Sequence, residues 1–130
     1  INQVAGEYEK KEISLVVEGN IPTDCKIQAY DLCTIFYNLL QNAEEACLRQ
    51  KEEERKVLIS NNSYQDILFI IVKNTADGAP GLINGRLHTT KPDREAHGIG
   101  SINIENTVRK YHGSIQYQYD NGWVTAEIKI

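Results

Sequence analysis

The stretch from Asp31 to Cys47 is the feature that most constrains how this chain can fold. Apolar residues recur in it at steps of three and four positions, which is the spacing of one face of an α-helix. The apolar positions are Leu32, Ile35, Phe36, Leu39, Ala43, Ala46 and Cys47. The pattern predicts a long amphipathic helix that begins at Asp31, and such a helix must bury its apolar face against another layer of structure.

Two asparagines, Asn38 and Asn42, lie inside this helical pattern. Their spacing places both carboxamides on one face of the helix, one turn apart. Asparagine is a mediocre helix former because its side chain competes for nearby backbone groups. The pair has two interpretations. Both residues are polar positions at a solvated helix edge, or one is an oxygen ligand for a hard cation with a polar neighbour one turn away.

The composition is that of a single globular domain. The chain has 130 residues, of which 41% are hydrophobic and 25% charged, and this length suits one domain with one core. Its net charge of -4 argues against nonspecific binding to nucleic acid or to an anionic membrane surface. No apolar run approaches the ~20 residues that span a bilayer. Because the chain begins with Ile1 and lacks methionine, we expect it to be part of a longer protein.

The three cysteines, Cys25, Cys33 and Cys47, give no sign of a disulfide or a metal site. Cys33 and Cys47 fall on the same predicted helix, ~21 Å apart along its axis, whereas bridged Cα atoms lie within ~7 Å. No Cys-x-x-Cys or Cys/His ligand spacing occurs. Unpaired cysteines of buried type are typical of a reducing, cytoplasmic setting.

The remaining patterns predict an α+β fold. Strands are predicted over Glu12–Glu18, Lys56–Asn61, Ile67–Lys73, Ser114–Tyr119 and Trp123–Ile130. A second amphipathic helix is predicted over Gly98–His112, with its apolar face formed by Ile99, Ile102, Ile104, Val108 and Tyr111. Hairpin turns are predicted at residues 62–66 and at Asp120-Asn121-Gly122. Residues 1–10 are either a short helix or a linker. The unbroken apolar run of Ile67–Val72 predicts a central strand. This order of elements indicates a two-layer sandwich, with helices on one face of a mixed, mostly antiparallel sheet.

A long segment between the predicted central strand and the second helix is poor in apolar residues. It runs from Asn74 to His97, and loops of this length in compact domains are usually functional or disordered. It leads into His97-Gly98-Ile99-Gly100. A Gly-x-Gly at a helix N-terminus offers free amide groups and a positive dipole end to an anion. By itself, the motif is weak evidence and is more typical of the simple start of a helix.

Taken together, three segments in fixed order resemble the ATP-binding domain of the GHKL superfamily, which includes gyrase, heat-shock chaperone ATPases, histidine kinases and MutL. Asn38–Ala46 resembles its N-box and His97–Gly100 its second glycine box. The closest resemblance is to the catalytic domain of quorum-sensing histidine kinases of the accessory-gene-regulator type. The matching residues are Asp31-Leu32-Cys33, Asn38–Ala46, Asn74-Thr75, Thr89-Thr90-Lys91, His97–Gly100 and Tyr111-His112-Gly113. The resemblance covers the chain from about Glu12 to Ile130.

The resemblance implies a Bergerat fold and a division of the chain. Residues 1–10 would connect to an upstream dimerisation domain, residues 11–130 would form the histidine kinase-like ATPase domain, and residues 76–97 would be its ATP lid. It implies a cytoplasmic domain of a bacterial membrane receptor, homodimeric at full length. Its partners would be ATP, the histidine-bearing dimerisation domain and, indirectly, a response regulator.

The resemblance also implies roles for the asparagines. Asn42 matches the residue whose carboxamide oxygen coordinates the Mg²⁺ that bridges the ATP phosphates. Asn38 stands where the hydrolysing members carry a glutamate general base, and an amide cannot accept a proton from water at neutral pH. Its alternative role is a hydrogen bond that supports a neighbouring ligand. Asn74 stands where most of the superfamily has an aspartate that contacts adenine, and here Ala76 replaces the first glycine of that box.

Further site residues follow from the same resemblance. Thr75 would cap the strand or line the pocket, and Thr125 matches a pocket threonine only loosely. Lys91 would contact a phosphate as a point charge, or it is a solvated loop lysine. His97 would donate to a phosphate oxygen on lid closure, beside the amides of Gly98, Ile99 and Gly100.

The implied function is Mg²⁺-dependent transfer of the ATP γ-phosphoryl group to a histidine on a separate dimerisation domain. The missing carboxylate at Asn38 favours such transfer over hydrolysis. Two alternatives remain. One is a GHKL serine kinase or anti-sigma regulator, which usually keeps a glutamate at the Asn38 position. The other is a non-catalytic nucleotide-binding or pseudokinase module, which the altered box at Asn74 favours.

Overall fold

The computed structural model describes residues 2–22, 25–49, 54–76, 81–83, 86–88 and 94–130. Three helices and seven strands are assigned in this part of the chain. The helices are α1 (Asn2–Lys10), α2 (Ala29–Leu48) and α3 (Arg94–Lys110). The strands are β1 (Ile13–Glu18), β2 (Arg55–Tyr64), β3 (Ile67–Thr75), β4 (Gly81–Ile83), β5 (Arg86–His88), β6 (Ser114–Asp120) and β7 (Trp123–Lys129).

Five of the strands form one mixed sheet in the order β1-β2-β3-β7-β6. β1 pairs with β2 in parallel, and the other three pairings are antiparallel. The middle position belongs to β3, as its unbroken apolar run predicts. The predicted α+β fold with a mixed, mostly antiparallel sheet is therefore confirmed.

Two-residue turns set the register of the β2–β3 and β6–β7 hairpins of the five-stranded sheet. Gln65 and Asp66 connect β2 to β3, and Asn121 and Gly122 connect β6 to β7; all four have positive φ angles. Positive φ at both central residues is the geometry of the type I′ turn, whose twist matches that of the flanking strands. The first turn is shorter than the predicted segment 62–66, because Tyr64 and Ile67 already pair with each other.

The core lies between the sheet and the helices. Alternate residues of β3 point into it: Leu68, Ile70, Val72 and Asn74 are buried. From α2 the core receives Ile35, Leu39, Leu40, Ala43 and Cys47, and from α3 it receives Ile104 and Val108. The buried face of α2 is rotated slightly from the predicted one, since Leu32 and Phe36 are only half-buried. Ile102, predicted to pack inward, is 54% exposed.

Two boundaries differ from the sequence-based prediction. The segment between β3 and α3 is not structureless, because β4 and β5 form a short antiparallel hairpin in it. In addition, α3 begins at Arg94 and not at Gly98. Arg94, Glu95 and Ala96 are favourable helix formers, so the helix extends through them before it reaches the glycines.

Two consecutive residues, His112 and Gly113, end α3 at its C-terminus, each in a different way. His112 adopts the left-handed conformation, with φ of 61°, and Gly113 donates its amide to the carbonyl of Val108 at 3.0 Å. A Cβ on Gly113 would lie 2.5 Å from the carbonyl oxygen of Lys129. The glycine is therefore required for close approach to β7.

The cysteines fall in three environments. Cys47 is buried, Cys25 is half-buried and Cys33 is exposed. All three are free thiols, but the predicted buried type holds only for Cys47. Among the described residues, no helix is long and apolar enough to cross a bilayer.

Residues 2–10 form a helix, the first of the two predicted alternatives, and it packs onto α2. Tyr8 is only 1% exposed, and its hydroxyl donates to the carbonyl of Leu40 at 2.5 Å. Lys11, just after α1, forms an ion pair with Glu44 of α2. Burial in this environment raises the pKa of Tyr8 well above that of a free phenol.

We predict that Tyr8→Ala lowers the free energy of unfolding by about 3–5 kcal/mol, because it leaves a cavity under α1. Tyr8→Phe, which removes only the hydroxyl, should cost about 1 kcal/mol. Urea denaturation measures both. Tyr64 is 65% exposed. Tyr64→Phe is therefore the matched control, and its free energy of unfolding should stay within about 0.5 kcal/mol of the parent's. A loss below about 1 kcal/mol for Tyr8→Ala would show that α1 is not part of the core.

Candidate functional site in the groove between two helices

The two long helices run antiparallel, with the start of α2 beside the end of α3. The Nζ of Lys110 donates to Oδ2 of Asp31 at 3.0 Å, and the hydroxyl of Tyr111 donates to the same oxygen. These donors hold the pKa of Asp31 below its ordinary value, the Tyr111 hydrogen bond contributing most. The ion pair likewise raises the pKa of Lys110.

A groove of about 590 Å³ lies between these helices. From α2 it is lined by Tyr30, Asp31, Cys33, Thr34, Tyr37 and Asn38, and from α3 by Asn103, Asn106 and Thr107. Most of the lining residues carry a hydroxyl, amide or carboxylate group, and among the described residues that line the groove Asp31 is the one charged residue. The groove can therefore accept a polar ligand through amide and hydroxyl groups.

Asn38 lies at the base of this groove. It is 8% exposed, and its Nδ2 donates to the carbonyl of Thr34, one turn earlier, at 2.8 Å. This local bond uses the amide nitrogen and leaves the carboxamide oxygen as an acceptor. Of the two interpretations from sequence, the solvated helix edge is wrong for Asn38.

The side-chain amide of Asn42 is not satisfied by the residues that the structure describes. Its Nδ2 is buried and has no hydrogen-bond partner within the described part of the chain. A buried polar atom without a partner costs about 1–3 kcal/mol. Because the nitrogen and oxygen of a carboxamide are assigned from their hydrogen bonds, a 180° flip places the oxygen at the same point. The side chain can thus present either atom to a ligand.

The asparagines of α2 face α3. Seven residues separate Asp31 from Asn38 and eleven separate it from Asn42, so helical periodicity places all three within about 20° of one direction. Asp31 contacts α3 directly. Since the helices are antiparallel, moving from Asp31 to Asn42 along α2 corresponds to moving from Lys110 to about Ile99 along α3. Helical periodicity therefore points Asn38 and Asn42 towards the side of α2 on which α3 packs.

Asn74 enters the same layer from the sheet. It is 6% exposed, lies on the helix-facing side of β3, and donates from Nδ2 to the carbonyl of Thr75 at 3.1 Å. The hydroxyl of Thr75 accepts the amide of Lys56 at 3.0 Å and lies 3.8 Å from Sγ of Cys47. Thr75 therefore ties the end of β3 to β2 and to α2.

The thiol of Cys47 belongs to this packed end of α2. Burial raises its pKa, so it stays protonated and unreactive at neutral pH. Cys47 follows Asn42 by five residues, about 7.5 Å along the helix axis. Asn42 and Asn74 thus lie at the same end of the α2–β3 interface.

Thr125 is not part of this arrangement. It pairs with Lys73 in the sheet, whereas Asn74 pairs with Val124. Directly opposed residues share a face of the sheet and neighbours along a strand alternate, so the side chain of Thr125 lies on the face away from the helices. The loose match to a pocket threonine therefore identified a residue on the wrong side of the sheet.

The glycine segment differs from its predicted geometry. Helical amides lack intrahelical partners only in the first turn. Because α3 begins at Arg94, the amides of Gly98 and Gly100 lie beyond that turn. The free amides of this conformation fall at Arg94–His97 instead. Thr89, Thr90 and Lys91, and the side chain of His97, lie outside the described residues.

The donor set fits a magnesium ion that binds together with phosphates. Within the described residues, no group of three or more His, Cys, Asp and Glu side chains could hold a metal ion. Mg²⁺ keeps several waters and often takes only one or two protein ligands besides substrate phosphates. Asn42, whose Nδ2 has no partner among the described residues, could offer one such neutral oxygen ligand after a flip of its carboxamide.

The sequence patterns missed every groove residue that α3 contributes, namely Asn103, Asn106 and Thr107. Their spacing of three and four residues along an amphipathic helix is the available signal. It becomes informative only once the partner of that helix is known. The hydroxyl of Thr107 itself donates to the carbonyl of Asn103 at 2.8 Å.

A family model decides the classification. The model for the GHKL domain matches residues 27–130, which include both helices of the groove and every strand except β1. The chain belongs to the GHKL domain family. By sequence, no curated protein matches this GHKL domain.

Solved structures share the fold of this GHKL domain. The nucleotide-free catalytic domain of the histidine kinase ThkA has a TM-score of 0.72 at 21% identity, over 99% of this chain and 88% of that chain. The mycobacterial sensor histidine kinase MprB has a TM-score of 0.67 at 14% identity, over 99% and 89%. A blue-light-activated histidine kinase from Erythrobacter litoralis has a TM-score of 0.73 at 13% identity, over 99% and 56%. The GHKL domain thus has the fold of histidine kinase catalytic domains.

We predict that Asn42→Leu raises the free energy of unfolding by about 0.5–1 kcal/mol. The change removes a buried amide without a partner and introduces a better helix former. Chemical denaturation measures it, and Gln41→Leu at the exposed neighbouring position is the control, expected within about 0.5 kcal/mol of the parent. A loss of more than about 1 kcal/mol for Asn42→Leu would mean that the amide stabilises the protein by itself.

Proposed function

We propose that this GHKL domain is the catalytic domain of a sensor histidine kinase. It binds ATP with Mg²⁺ and transfers the γ-phosphoryl group to a histidine on a separate dimerisation domain. The observation that carries the proposal is the buried Nδ2 of Asn42, which has no hydrogen-bond partner among the described residues and belongs to a side chain that faces α3 beside the buried Asn38. Packing among the described residues of the domain thus leaves this polar group unused.

Asn42 is the proposed magnesium ligand. When bound, Mg²⁺ would neutralise charge on the β- and γ-phosphates. The neutral carboxamide of Asn42 adds no charge of its own, so the negative charge at the metal comes from the nucleotide. Asn42 therefore binds the Mg²⁺–nucleotide complex and binds free Mg²⁺ only weakly.

Asn38 is proposed to orient the γ-phosphoryl group and to leave water unactivated. Its nitrogen is engaged with Thr34, and its oxygen has no basicity at neutral pH. In the transfer, a lone pair of the acceptor imidazole forms a P–N bond as the bond from phosphorus to the ADP oxygen breaks. The imidazole then loses the proton of its other nitrogen to solvent.

Asn74 is the proposed adenine contact. Its nitrogen donates to Thr75, so its oxygen remains to accept from the adenine amino group. An amide oxygen accepts more weakly than a carboxylate, and we expect modest nucleotide affinity for this reason. Thr75 holds the strand end that positions Asn74.

The lid completes the proposed site. Lys91 and His97 would contact phosphate oxygens, and Gly98, Ile99 and Gly100 would let the backbone approach them. Thr125 is left out of the proposed set, since its side chain lies on the opposite face of the sheet.

The proposed setting follows from the motif pattern described above. The chain would belong to the quorum-sensing branch and form the cytoplasmic part of a bacterial membrane receptor, with residues 1–10 leading from the dimerisation domain. The full protein would be a homodimer that signals to a response regulator.

Nucleotide binding tests the site. We expect calorimetric titration with ADP to give a Kd below 1 mM in the presence of Mg²⁺, as an order-of-magnitude expectation for a nucleotide site. Asn42→Ala should weaken Mg²⁺–ADP binding about 10-fold or more, while ADP binding in EDTA stays unchanged. Gln41→Ala serves as the matched control.

Two results would contradict the proposal for the site. The first is failure of the domain to bind ADP at millimolar concentration. The second is an Asn42→Ala variant that binds Mg²⁺–ADP as tightly as the parent does. The second result, with intact ADP binding, would favour a nucleotide-binding module that does not use Asn42 for a metal.

Phosphotransfer tests the reaction. With radiolabelled ATP, we expect the full-length protein to acquire label in an acid-labile linkage, the behaviour of a phosphoramidate. Asn42→Ala should abolish this label. An alkali-labile, acid-stable linkage would indicate a serine kinase, release of inorganic phosphate would indicate an ATPase, and binding without any label would indicate a non-catalytic module.

A further inference from the structure

The first turn of α2 is capped in an unusual way. Gln28 is its N-cap residue and makes no side-chain cap bond. In the capping box, the side chain three residues into the helix accepts the N-cap amide, and Asp31 occupies that position. Here a third group stands between them: the amide of Gln28 donates to the hydroxyl of Tyr111 at 3.1 Å, and that hydroxyl donates to Asp31.

The inserted hydroxyl comes from the other helix. Tyr111 follows directly after the end of α3, and Lys110 adds its ammonium to the same carboxylate at 3.0 Å. The Nζ of Lys110 also lies 5.7 Å from the centre of the Tyr111 ring. A carboxylate at a helix start and a cation at a helix end are each stabilised by the helix dipole. The cap is therefore complete only when α3 is docked on α2.

The cap shares a face of α2 with the proposed nucleotide site. Asp31 and Asn38 both line the groove, and Asn42 faces the same direction by helical periodicity. The opposite wall of the groove is α3, which also holds the glycine segment. A nucleotide that contacts both helices must find them at a fixed separation, and the cap sets that separation at one end of the groove.

We propose that Asp31 and Tyr111 are positioning residues for the nucleotide site. By sharing one N-terminal cap between α2 and α3, they fix the spacing at which Asn38 and Asn42 face α3. The inference rests on the proposed function, because it concerns the geometry of that same site. Neither residue need touch the nucleotide.

The alternative is that the cap only stabilises the fold. The two roles separate in a binding measurement made well below the melting temperature, where both parent and variant are fully folded. A purely stabilising cap lowers Tm and leaves the affinity for Mg²⁺–ADP unchanged. A positioning cap weakens that affinity in the folded protein.

Tyr111→Phe is the decisive variant, since it removes only the bridging oxygen. We expect Mg²⁺–ADP binding about fivefold weaker or more, at the lower end of couplings between sites. Asp31→Asn, a second variant of the same shape, should have a similar effect. Because the two residues share one network, the double variant should be little worse than either single one. Tyr64→Phe, at an exposed tyrosine that does not line the groove, is the control and should bind like the parent.

A second readout does not need the nucleotide. In NMR spectra of the free protein, Tyr111→Phe should shift the side-chain amide resonances of Asn38 and Asn42 as well as the backbone of Gln28. Shifts confined to residues around Gln28, together with parent-like ADP affinity in Tyr111→Phe and Asp31→Asn, would overturn the positioning role. Failure of the parent to bind ADP would instead refute the proposed function, and with it a nucleotide-positioning role.

Discussion

The packing of α2 against the central strands is the contact on which the rest of this structure depends. Ile35, Leu39 and Ala43 are each no more than 2% exposed. Successive helical residues are rotated by about 100°, so burying this one face fixes the direction of every other side chain in the helix. The side chains of Asp31, Asn38 and Asn42 therefore face α3, and the groove forms between the two helices.

Once α2 is fixed, the polar groups beside the core differ in how they are satisfied. Asp31 is paired twice, by Lys110 and Tyr111. Asn38 and Asn74 each use the amide nitrogen on a nearby carbonyl. The amide of Asn42 is left without a partner in the described chain. Packing alone does not account for such a group, whereas a ligand that supplies the missing partner does. The protein thus gives up some stability at the position where binding is proposed.

Much of the fold could be predicted because it depends on local patterns. The periodicity of α2, the apolar run of β3 and the Asn121-Gly122 turn each reflect constraints that act over a few residues. Errors arose where helix propensity or distant packing decided the outcome. The predicted start of α3 was too late: the helix begins at Arg94, because the residues before the glycines favour a helix. Ile102 was predicted to pack inward but is exposed. The sequence did not show which face of α3 packs against its partner. Thr125 was misplaced because sheet register decides which face a residue occupies.

The sequence by itself determined the elements, the class of fold and the segments that bear the family pattern, since periodicity, turn residues and motif order are all local properties. Only the tertiary structure decided that Asn38 is buried and that the amide of Asn42 lacks a partner among the described residues. It also decided that Tyr111 completes the cap of a helix that begins 82 residues earlier, at Ala29. Such contacts depend on the antiparallel docking of α2 and α3. That docking is set by the shared core, which no short window of sequence contains.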